Sequence, residues 1–332
     1  MTLGDSMKCK ILAAILIAVL SIVSFGVRET GAQATPRPVD RTYSRGVIIV
    51  PPFARSRADF DGDNRSDLSV YRASEGNWYM NRSSQGFMGV TFGIATDVPT
   101  PGDFDGDLKA DIAVWRPSDG AWYRLNSGTG TFSATQFGLA EDIPQAGDFD
   151  RDGREDVAVF RPSSGTWYWQ NSSNGQIGGR QFGQSGDLPV GGDYDGDRRE
   201  DLAVFRPANG TWFRLSSPWP PFAPPFVATQ FGISGDMPVP ADYDGDNRQD
   251  IAVFRPSDGY WYRLNSNTGQ FVAVQFGLNG DIPVPGDYDG DGRDDQAVYR
   301  AGTWYINRST SGFFQADFGL PTDVPIPKKY IP

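Results

Sequence analysis

An acidic cluster recurs six times at a nearly constant interval, beginning at Asp59, Asp103, Asp148, Asp193, Asp242 and Asp287, with spacings of 44, 45, 45, 49 and 45 residues. A fixed period of that length requires a repeat fold, in which each unit buries its apolar faces against its neighbours. Every unit reads alike. The acidic loop leads into an apolar run such as Ala252-Val253-Phe254-Arg255, a turn, a second run such as Trp261-Tyr262-Arg263-Leu264, a polar loop, a third run ending in Phe-Gly, and a short Asp-x-Pro segment. Valine and aromatic residues fill the runs, and Gly, Pro, Asn and Ser separate them, which is strand-and-turn chemistry. No 3.6-residue apolar period persists, so helix is not expected.

Four short antiparallel strands per unit predict an all-β chain, a β-propeller of six four-stranded blades, because radial repetition leaves few exposed edges. A parallel β-helix would need shorter coils, and a string of independent sandwiches would need about twice the length per unit. The C-terminal TDVPIPKKYIP starts a seventh unit in which Lys328 and Lys329 replace the Gly286-Asp287 pair of the sixth. With GVIIV at 46–50, this segment either closes the ring between first and last blades or forms a partial seventh blade.

The domain reading places a signal peptide at residues 1–34, a proline-rich polar lead-in at 35–56 and the propeller at 57–332. The leader has lysines, an apolar run and the small-x-small end Ala32-Gln33-Ala34, which predicts export with cleavage after Ala34; an uncleaved anchor is the alternative. The protein is thus expected to be secreted or held at the cell envelope, with no membrane span after cleavage. The single cysteine, Cys9, lies in the leader, and the chain has no histidine. The exported part therefore lacks thiolate and imidazole, which excludes cysteine nucleophiles, disulfides, histidine bases and the usual zinc and copper ligands. Loss of the leader takes the net charge from −11 to −12. An acidic protein without clustered cations is not expected to bind nucleic acid.

Oxygen donors remain, and the loops concentrate them. Each has the pattern D-x-D-x-D-x-x-x-D, with carboxylates at positions 1, 3, 5 and 9. These are Asp59, Asp61, Asp63 and Asp67 in loop 1, Asp103, Asp105, Asp107 and Asp111 in loop 2, and Asp148, Asp150, Asp152 and Asp156 in loop 3. Loops 4 to 6 supply Asp193, Asp195, Asp197 and Asp201, then Asp242, Asp244, Asp246 and Asp250, then Asp287, Asp289, Asp291 and Asp295. Hard oxygen donors in a flexible loop suit Ca2+, up to six ions, with a backbone carbonyl near position 7 and water completing the shell; magnesium demands a stricter octahedron. An EF-hand would need a glutamate at position 12, where Val70, Val114, Val159, Val204, Val253 and Val298 stand. Glycine fills position 4 except at Arg151. A single acidic turn needs no metal; six copies of one spacing point to one. Six divalent ions would neutralise the −12 charge.

Six further aspartates occur in Asp-x-Pro, at Asp97, Asp142, Asp187, Asp236, Asp281 and Asp323, and six arginines end the first runs, at Arg72, Arg116, Arg161, Arg206, Arg255 and Arg300. Either each arginine forks onto such a carboxylate, or it lies exposed over a buried stem. One tryptophan recurs per unit, at Trp78, Trp122, Trp167, Trp212, Trp261 and Trp304, fitting core packing between blades or stacking on a ligand. The remaining acidic residues are scattered and no unlike groups converge, so no catalytic site is expected. SSPWPPFAPP at 216–225 breaks the period, and its Trp219 and Phe222 are either partner contacts or loop drift.

Acidic loop, "AVFRP", "WY" and "FG" together resemble FG-GAP or VCBS repeats, over residues 57 to about 327. The Phe-Gly pairs stand at Phe92-Gly93, Phe137-Gly138, Phe182-Gly183, Phe231-Gly232, Phe276-Gly277 and Phe318-Gly319; the "GAP" element is replaced by "PGD", "AGD", "GGD" and "PAD". The resemblance implies a calcium-binding propeller of the bacterial branch, with the four aspartates of each loop as ligands. The expectation is a monomeric, non-catalytic binding or adhesion module for a protein or glycan partner; the alternative is a carbohydrate-active enzyme, a polysaccharide lyase or glycosidase, on the same scaffold.

Overall fold

The computed structural model describes residues 58–218 and 226–326. The leader, the lead-in, GVIIV, Trp219, Phe222, Lys328 and Lys329 lie outside the described residues. Six four-stranded antiparallel sheets form the blades of a propeller, and no helix occurs among the described residues. Blade 2 runs from the inner strand Val98–Pro99 through Ile112–Arg116 and Ala121–Leu125 to the outer strand Phe132–Gln136. Blades 3 to 6 repeat this order, from Ile143–Pro144 to Ile177–Gln181, Leu188–Pro189 to Val227–Gln230, Met237–Pro238 to Phe271–Gln275, and Ile282–Pro283 to Gly312–Asp317.

Blade 1 takes its inner strand, Val324–Ile326, from the C-terminus, and its other three, Leu68–Arg72, Asn77–Arg82 and Gly86–Thr91, from the N-terminal side. Ser69 pairs with Ile326 and Tyr71 with Val324. Of the two readings of the chain end, terminal-strand ring closure is the one observed. The prolines of the inner strands fit because an edge strand needs hydrogen bonds on one side only.

The core lies between blades. Tyr71 and Trp78 of blade 1 pack with Ile112 and Val114 of blade 2, and Val70 packs with Tyr299 and Trp304 of blade 6, so the last junction repeats the first. The six tryptophans are at most 3% exposed, which settles them as core. Each indole Nε1 donates to the carbonyl of the Phe-Gly phenylalanine, at 2.6–3.1 Å. The glycine that follows passes over the aromatic ring of the first run: a Cβ on Gly277 would lie 2.8 Å from Phe254 Cε2, and its φ of 138° belongs to glycine. The repeated Phe-Gly therefore joins an acceptor for tryptophan to a close backbone crossing.

All six arginines fork onto Asp-x-Pro carboxylates. Within blades 2 to 6 the pair links the inner strand to its neighbour, as in Arg116 to Asp97 at 2.7 and 2.8 Å. At the seam, Arg72 reaches Asp323 with both distances 2.9 Å. The carboxylates are nearly without exposure, and each guanidinium also lies over an aromatic ring of the next strand at 4.3–4.6 Å. Removing the arginine strands a buried charge. Arg206→Met is expected to cost about 3 kcal/mol in chemical denaturation. Arg72→Met should cost a similar amount and in addition expose the C-terminal strand to limited proteolysis; a variant of unchanged stability and proteolytic pattern would show that the pair does not hold the seam.

Candidate metal centre

Each acidic loop joins the inner strand of its blade to the next strand; in blade 1 the two are not continuous in sequence. Its second residue (Phe60, Phe104, Phe149, Tyr194, Tyr243 or Tyr288) is buried in the core and pins the loop to the blade. The four carboxylates then divide into two kinds.

The aspartate at position 1 organises its own turn. Oδ1 of Asp59 accepts the N–H of Gly62 at 2.6 Å, and Oδ2 accepts that of Asn64 at 2.8 Å. All six loops repeat this pair of bonds. The turn requires left-handed backbone at positions 4 and 6. Arg151 adopts it at φ 65°, so loop 3 keeps the conformation despite lacking glycine there, and Asn64, Leu108, Arg198 and Asn247 do so at position 6.

The aspartate at position 9 ties the loop to the rest of the blade. Oδ2 of Asp67 accepts the N–H of Phe60 at 2.8 Å, and Oδ1 accepts that of Ser83, in the hairpin turn between the third and outer strands, at 2.7 Å. The same two bonds recur at Asp111, Asp156, Asp201, Asp250 and Asp295. With both oxygens accepting, a carboxylate is required; an amide would set N–H against N–H.

Positions 3 and 5 receive the hairpin turn from the other side. Ser84 donates its backbone N–H and its hydroxyl to Asp61 Oδ2, and the hydroxyls of Ser127, Ser172, Ser217, Ser266 and Ser309 donate to the position-5 aspartates of their blades. These turn residues are absent from the sequence reading, although a serine recurs after each third strand, 14 or 16 residues beyond position 9.

Carboxylate oxygens of Asp59, Asp61 and Asp67 lie within 4.8 Å of one another, as do those of Asp148, Asp150 and Asp156, so positions 1, 3 and 9 converge in loops 1 and 3. In loops 2, 4 and 5 the converging oxygens belong to positions 1, 3 and 5 (Asp103, Asp105 and Asp107; Asp193, Asp195 and Asp197; Asp242, Asp244 and Asp246). Such groups could hold a metal ion, and one observation tests the fit. Oδ1 of Asp61, Asp244 and Asp289, position 3 in each case, is shielded from solvent and has no hydrogen-bond partner. A buried anionic oxygen without a donor is costly, and a cation in the loop would satisfy it.

The loops are also chained to one another. The N–H at position 8 donates to the position-1 carbonyl of the preceding blade: Ala110 to Asp59, Glu155 to Asp103, Glu200 to Asp148, Gln249 to Asp193, Asp294 to Asp242 and Ser66 to Asp287, at 2.6–2.8 Å. Six bonds pass through six loops and close on themselves.

Burial pushes the position-9 carboxyls upward, and the neighbouring loop carboxylates add to it: Asp67, Asp156 and Asp295 rise to about 7, Asp201 to about 8, and Asp111 and Asp250 to about 6. In the unfolded chain these groups titrate near 4. Between pH 4 and 8 the folded state without metal therefore binds more protons than the unfolded state, and its stability falls as pH rises. In chelator, the thermal midpoint is expected to be higher at pH 5 than at pH 8; a saturating divalent cation, which displaces the protons, should abolish that order. Equal pH slopes with and without the cation would show that these carboxylates face no ion.

Comparison with known proteins agrees with this architecture. The FG-GAP-like repeat model matches residues 103–159, 148–204 and 242–298. No curated protein matches the sequence. Among solved structures, a streptogramin B lyase aligns at 9% identity and TM-score 0.51, covering 80% of this chain and 87% of the lyase. An Agrocybe aegerita lectin that recognises non-reducing terminal N-acetylglucosamine aligns at 15% identity and TM-score 0.51, covering 77% of each chain. Likeness at these identities shows the propeller fold alone.

Proposed function

From the premise that this chain is built of FG-GAP-like repeats, we propose that it is an exported, calcium-stabilised propeller that binds a protein or glycan partner and carries out no chemistry. The observation that carries the reading is the shielded, donorless Oδ1 at position 3 in three of the loops, two of them, Asp61 and Asp244, within a close trio of carboxylates. Ca2+ suits these loops better than Mg2+ because it accepts six to eight oxygens in irregular geometry. Asp61, Asp105, Asp150, Asp195, Asp244 and Asp289 would hold the ions together with positions 1, 5 and 9 of their loops. A bound ion supplies charge compensation, and the carboxylates that hold it are the ones that fix the hairpin turns.

A binding role is supported by the rim. At one register position of the outer edge stand Phe87, Phe132, Ile177, Phe271 and Phe313, and Phe226 directly precedes the outer strand of blade 4; every one is more than half exposed. Phe132 packs between Tyr123 of its own blade and Phe92 of the preceding one, both with ring centroids 6.2 Å away, and Phe271 repeats this with Tyr262 and Phe231. A belt of apolar side chains seated at the blade junctions is a preformed contact surface. The non-catalytic reading is supported by the use of ionisable groups: loop aspartates bond backbone amides, Asp-x-Pro carboxylates bond arginines, and Glu75, Asp119 and Asp258 accept from tyrosine hydroxyls.

Two measurements test this. Adding CaCl2 to chelated protein is expected to raise stability by about 1.4 kcal/mol per site at ten times Kd; no shift, with no bound ion, would end the calcium reading. A glycan array and immobilised extracellular proteins should capture the wild type, while Phe132→Ser combined with Phe271→Ser loses capture at unchanged thermal midpoint. Turnover of chromogenic polysaccharides would replace the binding reading by an enzymatic one.

A further inference from the structure

The six acidic loops share one pattern, but the residue packed beneath them does not. Directly opposite the residue two past position 9, the third strands carry Met80, Arg124, Trp169, Arg214, Arg263 and Ile306 in blades 1 to 6. Met80 and Ile306 are buried, and Trp169 stacks on Phe149 of loop 3 at 5.4 Å. The three arginines lie over the same loop residue: Arg124 over Phe104 at 5.2 Å, Arg214 over Tyr194 at 5.3 Å and Arg263 over Tyr243 at 5.3 Å. The amide of that residue is the one that binds the position-9 carboxylate, at 2.9–3.0 Å. A fixed cation thus lies one aromatic ring from the acidic cluster in loops 2, 4 and 5.

Two further observations bear on this division, the first in loops 2 and 4 and the second in loops 1 to 5. The Nε atoms of Arg124 and Arg214 are shielded from water with no hydrogen-bond partner, so their charge is met in part by Asp111 and Asp201, which oppose the effect of burial on each guanidinium. And the loops in which positions 1, 3 and 5 converge are 2, 4 and 5, whereas position 9 joins the close trio in loops 1 and 3, above Met80 and Trp169. Where an arginine lies beneath, the position-9 carboxylate is outside the trio.

We propose that Arg124, Arg214 and Arg263 divide the loops into two classes, with loops 2, 4 and 5 binding a divalent cation more weakly than loops 1, 3 and 6. The inference rests on the reading of the loops as divalent-cation sites. A permanent positive charge lowers the potential that draws the ion in, and it leaves the loop less dependent on that ion to relieve its own repulsion. Loops 6 and 1, both without the arginine, flank the seam and are joined by the Ser66 to Asp287 bond at 2.6 Å. Two of the three proposed strong sites thus adjoin blade 1, where the ring is closed without a covalent link.

Calorimetric titration of CaCl2 into the chelator-stripped full-length chain, at low ionic strength and pH 7.5, reads this directly. Two sets of about three sites are expected, separated on the order of tenfold or more in Kd. Arg124→Met should move one site into the strong set, Met80→Arg should move one into the weak set, and Arg124→Lys should leave the wild-type pattern; circular dichroism confirms folding of each, and Arg263→Met serves if Arg124→Met does not fold. Six equivalent sites, or a distribution that ignores these substitutions in folded protein, would overturn the two-class inference while leaving calcium binding intact. Absence of both binding heat and thermal shift would overturn the cation reading itself.

Discussion

Mutual repulsion among clustered carboxylates is the constraint that the rest of this fold answers. Each loop gathers four aspartates, and the chain meets the cost with backbone amides: two on position 1, two on position 9, and a serine-bearing hairpin turn on positions 3 and 5. Hydrogen bonds from N–H to a carboxylate are stronger than neutral ones, so the loops act as knots that join the inner strand, the next strand and the hairpin turn beyond the third. They do not neutralise the charge. The raised titration of the position-9 groups and the donorless oxygens of Asp61, Asp244 and Asp289 are what remains uncompensated, and a bound cation would answer both.

The ring depends on the same loops in a second way. Inter-blade cores of tryptophan, aromatic and valine side chains give each junction its hydrophobic stabilisation, but apolar packing is non-directional and would tolerate small rotations between blades. The six backbone bonds from position 8 to the preceding position 1 are directional, and they link the loops in an unbroken circle. Aspartate at position 1 is common to both systems, with its carboxylate folding the loop and its carbonyl holding the next blade. At the seam that circle is supplemented by Arg72 on Asp323 and by the hydroxyl of Ser69 on the carbonyl of Ile326, so the closure without chain continuity has the arginine fork of the other blades and a hydroxyl bond besides.

Most of this architecture is legible in the sequence because repetition separates signal from noise. Period and strand chemistry give six blades, the Asp-x-Pro and arginine sets are equal in number because they pair, and tryptophan recurs because every junction needs one. Other features were hidden for physical reasons. The circle of position-8 bonds uses backbone atoms, so Ala110, Glu155 and Ser66 fill one role with unrelated side chains. The left-handed residue at position 6 is Asn, Leu, Arg or Gly, because the amide bond to position 1 fixes a conformation that the side chain does not choose. The rim phenylalanines of the outer strands lie at one register position but read as ordinary members of apolar runs, since exposure on the last strand is a property of the blade's edge.

The departures from periodicity carry different information from the repeats. A feature present six times answers a need common to every blade, whereas Arg124, Arg214 and Arg263 occur in only three and cannot be required for a blade to form, since Met80 and Ile306 occupy the same place in blades whose loops have the same hydrogen bonds. What those three change is local charge. A cation held by a strand and a cation taken from solvent are alternative answers to the same repulsion, one permanent and the other dependent on the surroundings. Blades 1, 3 and 6 have no arginine at that place, so on the proposed division their loops depend most on a cation taken from solvent.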